Sequence, residues 1–393
     1  MADKEHCYYI IPRIPYPPVG GDRLKYFNSI KVLSPRLLLH IIVISDEKLD
    51  VEAEKFLKEN SASYKVFTFS KIRFRANAFR GLFSNAPVQV NYYFFKKVHT
   101  WCKATIKPGD IVIANLIRTA LYAIDLPNRK IINFEDSIYL NYKASIKKVS
   151  SFFWKVMYAI ELNRLKRFEE RCIANFSYAT FVNIHEQQYY GNYTNTAWLP
   201  NGVNNELCER VFDAGLPRTN EVAYLGKMDY QPNVDAVVWF AEQVVSRYTG
   251  IKLRIIGAKP NKRVLNLQKK YPGKISITGY VDDPFAIMKS SLAVVAPMQT
   301  GGGIQNKILE AMAIGCVVLT SSLGSSPIIG AENLKHLVIC NTPEDYVAII
   351  QSIQDDAAAA TEISGNARQF IKHYYTWNIY GNKLFALIDE LSR

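Results

Sequence analysis

Short apolar runs alternate with helical periods along the whole chain. In the first half the runs are CYYII (7–11), LLLHIIVIS (37–45), KVFTFS (65–70), DIVIANL (110–116), KIINFE (130–135) and YATFVN (178–183). Helical patterns fall between them, at about 22–33 and within the charged stretch 47–60. Buried runs of this length, spaced by helices, predict parallel strands covered on both faces. A Pro-Asn-Gly turn signal in WLPNGVN (198–204) interrupts the pattern, which then restarts. EVAYLGKM (221–228), LRIIGA (253–258), ISITGY (275–280), LAVVAP (292–297) and CVVLTS (316–321) read as strands, with an amphipathic helix at 232–245. The expectation is two doubly wound α/β domains joined near residues 200–220.

Composition agrees with a folded, two-domain protein. Of 393 residues 49% are hydrophobic and 21% charged, which excludes wholesale disorder and collagen-like repetition. The six cysteines form no C-x-x-C pair, so a zinc ribbon and a disulfide scaffold are not expected, and free thiols fit a reducing compartment. The longest apolar stretch, 37–44, is broken by His40 and is far short of the ~20 residues that span a bilayer. The start of the chain lacks the apolar run of a signal peptide. A soluble, cytoplasmic protein that can touch a membrane is expected.

Charge changes the picture because it is uneven. Residues 1–200 hold 29 Lys+Arg against 17 Asp+Glu; the remainder hold 19 against 18. No acidic residue lies between Glu59 and Asp110, where nine basic ones do, Arg73, Arg75 and Arg80 among them. A second basic-aromatic stretch, 147–171, reads as one helix carrying Phe152, Phe153, Trp154, Met157, Tyr158, Ile160 and Leu165. Rings beside cations suit an anionic membrane surface. The plainer reading is a solvated helix whose apolar side belongs to the core. No nucleic-acid motif accompanies the charge, so no nucleic-acid partner is expected.

Two segments carry candidate chemistry. In PYPPVGGDRLK (15–25) a strand leads through prolines to Gly20 and Gly21 and then to a helix, whose exposed N–H groups can meet a phosphate. Alone this is also an ordinary turn. In APMQTGGGIQNKILEAMAIGCVVLTSS (296–322) three glycines precede a helix start with Lys307 and Glu310. Backbone donors and Lys307 suit a diphosphate, and the Glu310 carboxylate suits two ribose hydroxyls.

GGGIQNKILEAMAIGCVVLTS resembles the donor-site segment of family 4 glycosyltransferases with the GT-B fold, two Rossmann-like domains facing across a cleft. YLGKMDYQPNVDAVVWFAEQV (224–244) resembles the Stp1-like bacterial sugar transferases of exopolysaccharide and capsule assembly, and PYPPVGGDRLK, ITGYVDD (277–283) and PNGV (200–203) also fit. The resemblance implies an acceptor domain over 1–200, a nucleotide-sugar domain over 201–375, and a last helix, 376–393, crossing back to the first.

Carried onto this chain, the resemblance implies that Glu310 holds the ribose and that Gly303, Ile304 and Lys307 meet the donor diphosphate. Lys227 occupies a second phosphate-contacting position, and Tyr280 and Val281 the base-holding one. Gly302 stands where the family's first glutamate contacts the sugar. Gly20 and Gly21 match the loop that approaches the diphosphate. Asp136 would orient the acceptor hydroxyl or the sugar, or is a capping or turn residue. Arg118 would meet an anionic acceptor, or is a surface arginine. Glu186, beside His185, reads as a solvated helix start. The implied reaction is a metal-independent, retaining transfer from a nucleotide diphosphate sugar, with no cofactor, to a saccharide on a polyprenyl diphosphate. It would place the protein peripherally on the inner face of a bacterial membrane. A nucleotide-sugar epimerase and an inactive membrane-associated binding module are the rival readings.

Overall fold

A computed structural model describes residues 4–146, 152–213, 216, 218–300, 303–356 and 358–391. It divides into two compact units, residues 1–200 with 381–393, and residues 201–380.

The first unit is built on seven strands: β1 (His6–Ile11), β2 (Leu38–Ser45), β3 (Ser63–Thr68), β4 (Ile111–Asn115), β5 (Arg129–Glu135), β6 (Tyr178–Phe181) and β7 (Thr196–Trp198). Every neighbouring pair is parallel, in the order β3-β2-β1-β4-β5-β6-β7. The second unit has six: β8 (Val222–Leu225), β9 (Leu253–Ile256), β10 (Ile275–Gly279), β11 (Ala293–Ala296), β12 (Val318–Thr320) and β13 (Val338–Ile339). Their order is β10-β9-β8-β11-β12-β13, again parallel throughout. Both sheets reverse winding direction once, between β1 and β4 and between β8 and β11. Helices covering both faces bury the central strands, so β4 and β11 are buried at every position.

The predicted strands all form, and β7 and β13 join them. Those two are edge strands of three and two residues, too short to show a period of their own. The charged helix expected from 47 starts at Val51, because the Asp50 side chain caps it by accepting from the Ala53 N–H at 2.7 Å. The basic-aromatic helix is described from Phe152 to Asn175, and its expected residues 147–151 lie outside the described residues. No helix among the described residues is long and apolar enough to cross a membrane. All six cysteines are buried and free.

The boundary between the units falls within PNGV, after Pro200, and in the second unit Val203 pairs with the chain near residue 376. The Val203 N–H donates to the Tyr375 carbonyl at 2.8 Å, and the Trp377 N–H to Val203 at 3.0 Å. A Cβ on Gly202 would lie 2.4 Å from the Thr376 carbonyl carbon, so only glycine permits this approach.

The last helix, Trp377–Glu390, passes from one unit to the other at Gly381. From there it packs within the first unit. Arg36 lies over the Phe385 ring at 3.9 Å, Lys383 over Trp198 at 3.9 Å, and the Tyr178 hydroxyl donates to Glu390. Leu384, Phe385 and Ile388 are buried. Leu384→Ala should therefore cost about 2–5 kcal/mol, the range for a buried Leu that leaves a cavity. Urea unfolding of the full chain measures it; an unchanged midpoint would mean that this helix adds nothing to the first unit.

Candidate active site

In an open parallel sheet the strand order reverses where two helices leave on opposite faces, and the carboxyl ends of the strands there are left open to a ligand. In the second unit those strands are β8 and β11. β8 runs into the Gly226–Lys227 turn, and after β11 come Gly303, Ile304 and the helix Asn306–Ala313. The chain thus brings Lys227, Gly303, Ile304, Lys307 and Glu310 to one end of one sheet. Gly302 lies outside the described residues.

Lys307 is buried in the first turn of that helix. Its ammonium donates to the Tyr224 hydroxyl at 2.7 Å and to the Asn233 side-chain oxygen, and lies 4.5 Å from the centre of the Tyr224 ring. Burial pulls its pKa down to about 7, against the pull of Glu310. Glu310 lies three residues on, so it shares this face of the helix. Burial pushes its carboxyl up to about 7, with Lys307 opposing. A cation and a carboxylate that both change charge near neutrality are equipped to answer an arriving anionic ligand.

The other expected donor contacts are placed differently. Lys227 is half exposed and pairs with Asp229 at 3.4 Å. Ile304 is buried, and Gly303 accepts from the Gln305 side-chain amide at 3.1 Å. Tyr280 is exposed and Val281 half-buried; both follow β10, the sheet edge two strands from β8. Sequence reasoning gave no role to Tyr224 or Asn233. Their signal was available as polar residues inside the apolar stretches YLGKM and PNVDAVV.

The first unit reverses between β1 and β4, and its strand ends carry the remaining candidates. Gly20 has φ 105° and precedes the helix Gly21–Leu33, and Gly21 is exposed. Arg118, half-buried, donates to Gln89 at 3.4 Å and stacks 5.5 Å from the Tyr93 ring centre. Asp136 follows Glu135 at the end of β5. The cap of the next helix is Ser137, whose hydroxyl accepts from the Leu140 N–H at 3.1 Å. Asp136 is therefore not the capping residue.

Asp136 belongs instead to a group of ionisable residues, some half-buried and some fully buried, that the sequence did not reveal. Lys25 is fully buried; desolvation lowers its pKa, and Glu135 and Asp136 raise it. Burial raises Asp136, and pushes Glu135 up to about 7, with Lys25 opposing in both. Glu169 accepts from the Ser137 hydroxyl at 2.7 Å, the Tyr190 hydroxyl at 2.6 Å and the Tyr139 N–H at 3.0 Å. Glu186 accepts from the Ser137 N–H at 2.7 Å. The expectation of a solvated Glu186 is overturned: the side chain is 5% exposed and only its neighbour His185 faces water. The helix Ile184–Tyr189 turns Glu186 inward beneath Ser137, because a loop amide there needs an acceptor.

Comparison with known proteins bears on the second unit most directly. Residues 219–356 match the family model for "Glycosyl transferases group 1". A Klebsiella pneumoniae protein described as an uncharacterized 44.6 kDa protein in the cps region is 23% identical over 375 residues, covering 92% of this chain and 94% of that one. Among solved structures, HepE of Anabaena, crystallised with UDP and glucose, aligns at TM-score 0.68 and 14% identity over 98% of this chain and 99% of its own. Sucrose-phosphate synthase of Thermosynechococcus elongatus aligns at 0.69 and 14%, with the same coverage of both chains. Two doubly wound units with such neighbours have the GT-B fold. Residues 219–356 match a group 1 glycosyl transferase domain, which supports a transferase.

The pKa shift at Glu186 has a consequence for stability. Burial, followed by the nearby Asp136, pushes its pKa up to about 9 from an ordinary 4.5. Between those values the folded protein holds a proton that the unfolded chain has lost, so stability falls as pH rises from about 4.5 to about 9. Glu186→Gln keeps an acceptor for Ser137 and removes the titration. It should stabilise the protein by on the order of 1–3 kcal/mol at pH 8 and change little at pH 5, read by urea unfolding at both. Equal effects at the two values would place Glu186 in its charged form.

Proposed function

We propose that this protein moves a sugar from a nucleotide diphosphate donor to a saccharide carried on a polyprenyl diphosphate, during assembly of a surface polysaccharide. The observation that carries the donor half is Lys307 and Glu310 at the start of the Asn306 helix, beside the Lys227 turn, at the strand reversal of a group 1 domain. HepE, bound to UDP and glucose, supports a nucleotide sugar as the donor, and the cps region of the Klebsiella relative supports capsule assembly as the setting.

In this reading Lys307 and Lys227 meet the diphosphate as it departs, and Glu310 takes the ribose hydroxyls. Gly303 and Ile304 bring backbone to the phosphates, and Tyr280 with Val281 holds the base. Asp136 orients the acceptor hydroxyl and Arg118 attracts an anionic acceptor. The chemistry is positioning and charge stabilisation with retention of the anomeric configuration. It calls for neither a covalent nucleophile nor a metal.

The lipid-linked acceptor rests on the surface of the first unit. The helix Lys71–Gly81 buries Phe74 and Gly81, and leaves Ile72, Phe79, Arg73, Arg75 and Arg80 exposed, with Phe83 exposed just beyond. Phe79 and Phe83 meet edge to face at 5.8 Å. The Phe152–Asn175 helix is tied beside it, because Arg164 donates to the Leu82 carbonyl at 2.9 Å, and it exposes Val156 and Ile160. Exposed rings flanked by arginines fit the interface of an anionic bilayer, at the inner face of the membrane.

Two experiments test the halves separately. Glu310→Ala and Lys307→Ala should each lower donor turnover about 10–150-fold, the loss of one charged hydrogen bond, in protein that still folds. A panel of nucleotide sugars read by thermal shift identifies the donor first. Full turnover in the folded variants would sink the donor site. Replacing Arg73, Arg75 and Arg80 with Ser should weaken binding to anionic vesicles by about 1 kcal/mol per cation, and high salt should mimic it. Wild-type protein that ignores such vesicles at low salt would remove the membrane from the reading.

A further inference from the structure

Lys307 and Lys227 leave different strands, and nothing in the chain's local structure sets the distance between them. One side chain connects them. Asn233, buried near the start of the helix Gln231–Phe240, accepts from the Lys307 ammonium with its oxygen and donates its amide to the Lys227 carbonyl at 3.0 Å. The Tyr224 hydroxyl completes the cluster, accepting from Lys307 at 2.7 Å and donating to the Asn233 oxygen at 3.1 Å. The turn is shaped around this amide. A Cβ on Gly226 would lie 2.7 Å from the Asn233 side-chain nitrogen and 3.2 Å from the Tyr224 ring. Glycine at 226 is thus what lets the amide reach the carbonyl beyond it.

We propose that Asn233 is a positioning residue of the donor site, whose single amide fixes the Lys307 ammonium and the Lys227 turn relative to each other. This rests on the donor-site reading given above. The amide suits the task for a physical reason. A neutral oxygen holds a buried ammonium without neutralising its charge, so the cation stays available to a diphosphate. A carboxylate at the same place would compete with the phosphates for it. The titratable groups facing Lys307 are Tyr224, on β8, and Glu310, on its own helix; Asn233 is uncharged.

The test follows the Lys307 ammonium directly, by carbon-13 NMR of labelled lysine side chains, with Lys307→Arg to assign the signal. Asn233→Asp keeps an acceptor for Lys307 but adds a charge and loses the donor to Lys227. It should raise the Lys307 pKa by at least about one unit and weaken binding of inorganic pyrophosphate about tenfold by calorimetry. Tyr224→Phe keeps the ring and removes one acceptor; it should lower the Lys307 pKa, and it serves if the Asp variant fails to fold. A Lys307 titration unchanged in either folded variant overturns the proposal. A shifted titration with pyrophosphate binding that is the same in wild type and Lys307→Ala overturns the donor-site reading instead, and leaves the tie between Asn233 and Lys307 standing. A shifted titration with weakened pyrophosphate binding supports both.

Discussion

A lysine ammonium buried in a protein interior must be met by oxygen, because leaving it unpaired costs several kcal/mol of lost hydration. In the second unit that requirement ties the end of β8 to the start of the Asn306 helix around Lys307. The Tyr224 and Asn233 oxygens meet the charge, Asn233 reaches on to the Lys227 carbonyl, and Gly226 makes room for it. β8 and the Gln231 helix, neighbours in sequence, are therefore tied to the distant Asn306 helix through one cation. The same burial brings Lys307 to a pKa near neutrality, so the group that makes this tie is also one whose charge responds to a ligand.

The first unit meets a related constraint differently. At the end of β5, Glu135 and Asp136 face the buried Lys25, and Glu169 and Glu186, from two helices, meet the chain at Ser137. Burial raises the pKa of each acid, that of Glu135 to about 7 and that of Glu186 to about 9. Ser137 is the hinge of this arrangement. Its hydroxyl serves Glu169 and the Leu140 amide, and its own N–H serves Glu186. Asp136, next to it, lies outside those hydrogen bonds and faces Lys25. Two units of the same winding thus present different chemistry at equivalent edges: a cation set in neutral oxygens in one, a lysine among carboxyls in the other.

Much of this could be read along the chain. Each long apolar run became a strand, because a strand buried on both faces has no polar positions to disguise it. The restart after WLPNGVN marked the second sheet, and the glycine loop with Lys307 and Glu310 marked the edge where its order reverses. What could not be read is equally specific. β7 and β13 are too short to carry a period. Glu186 and His185 are adjacent and look alike in sequence, yet one is buried and the other exposed, because the Ser137 amide that turns Glu186 inward lies far along the chain.

The sequence by itself determined the alternation of strands and helices, the glycines at tight approaches and the residue types at each strand end, since those follow from local periodicity and backbone freedom. The tertiary structure alone decided which side chains share a charge. Lys25 joins Glu135 and Asp136, and Lys307 joins Tyr224 and Asn233, only because β1 pairs with β4 and β8 with β11. Winding order is set by how whole helices pack on a sheet, and a pKa is set by what that packing removes from water. Neither quantity has a value until the distant segments have met.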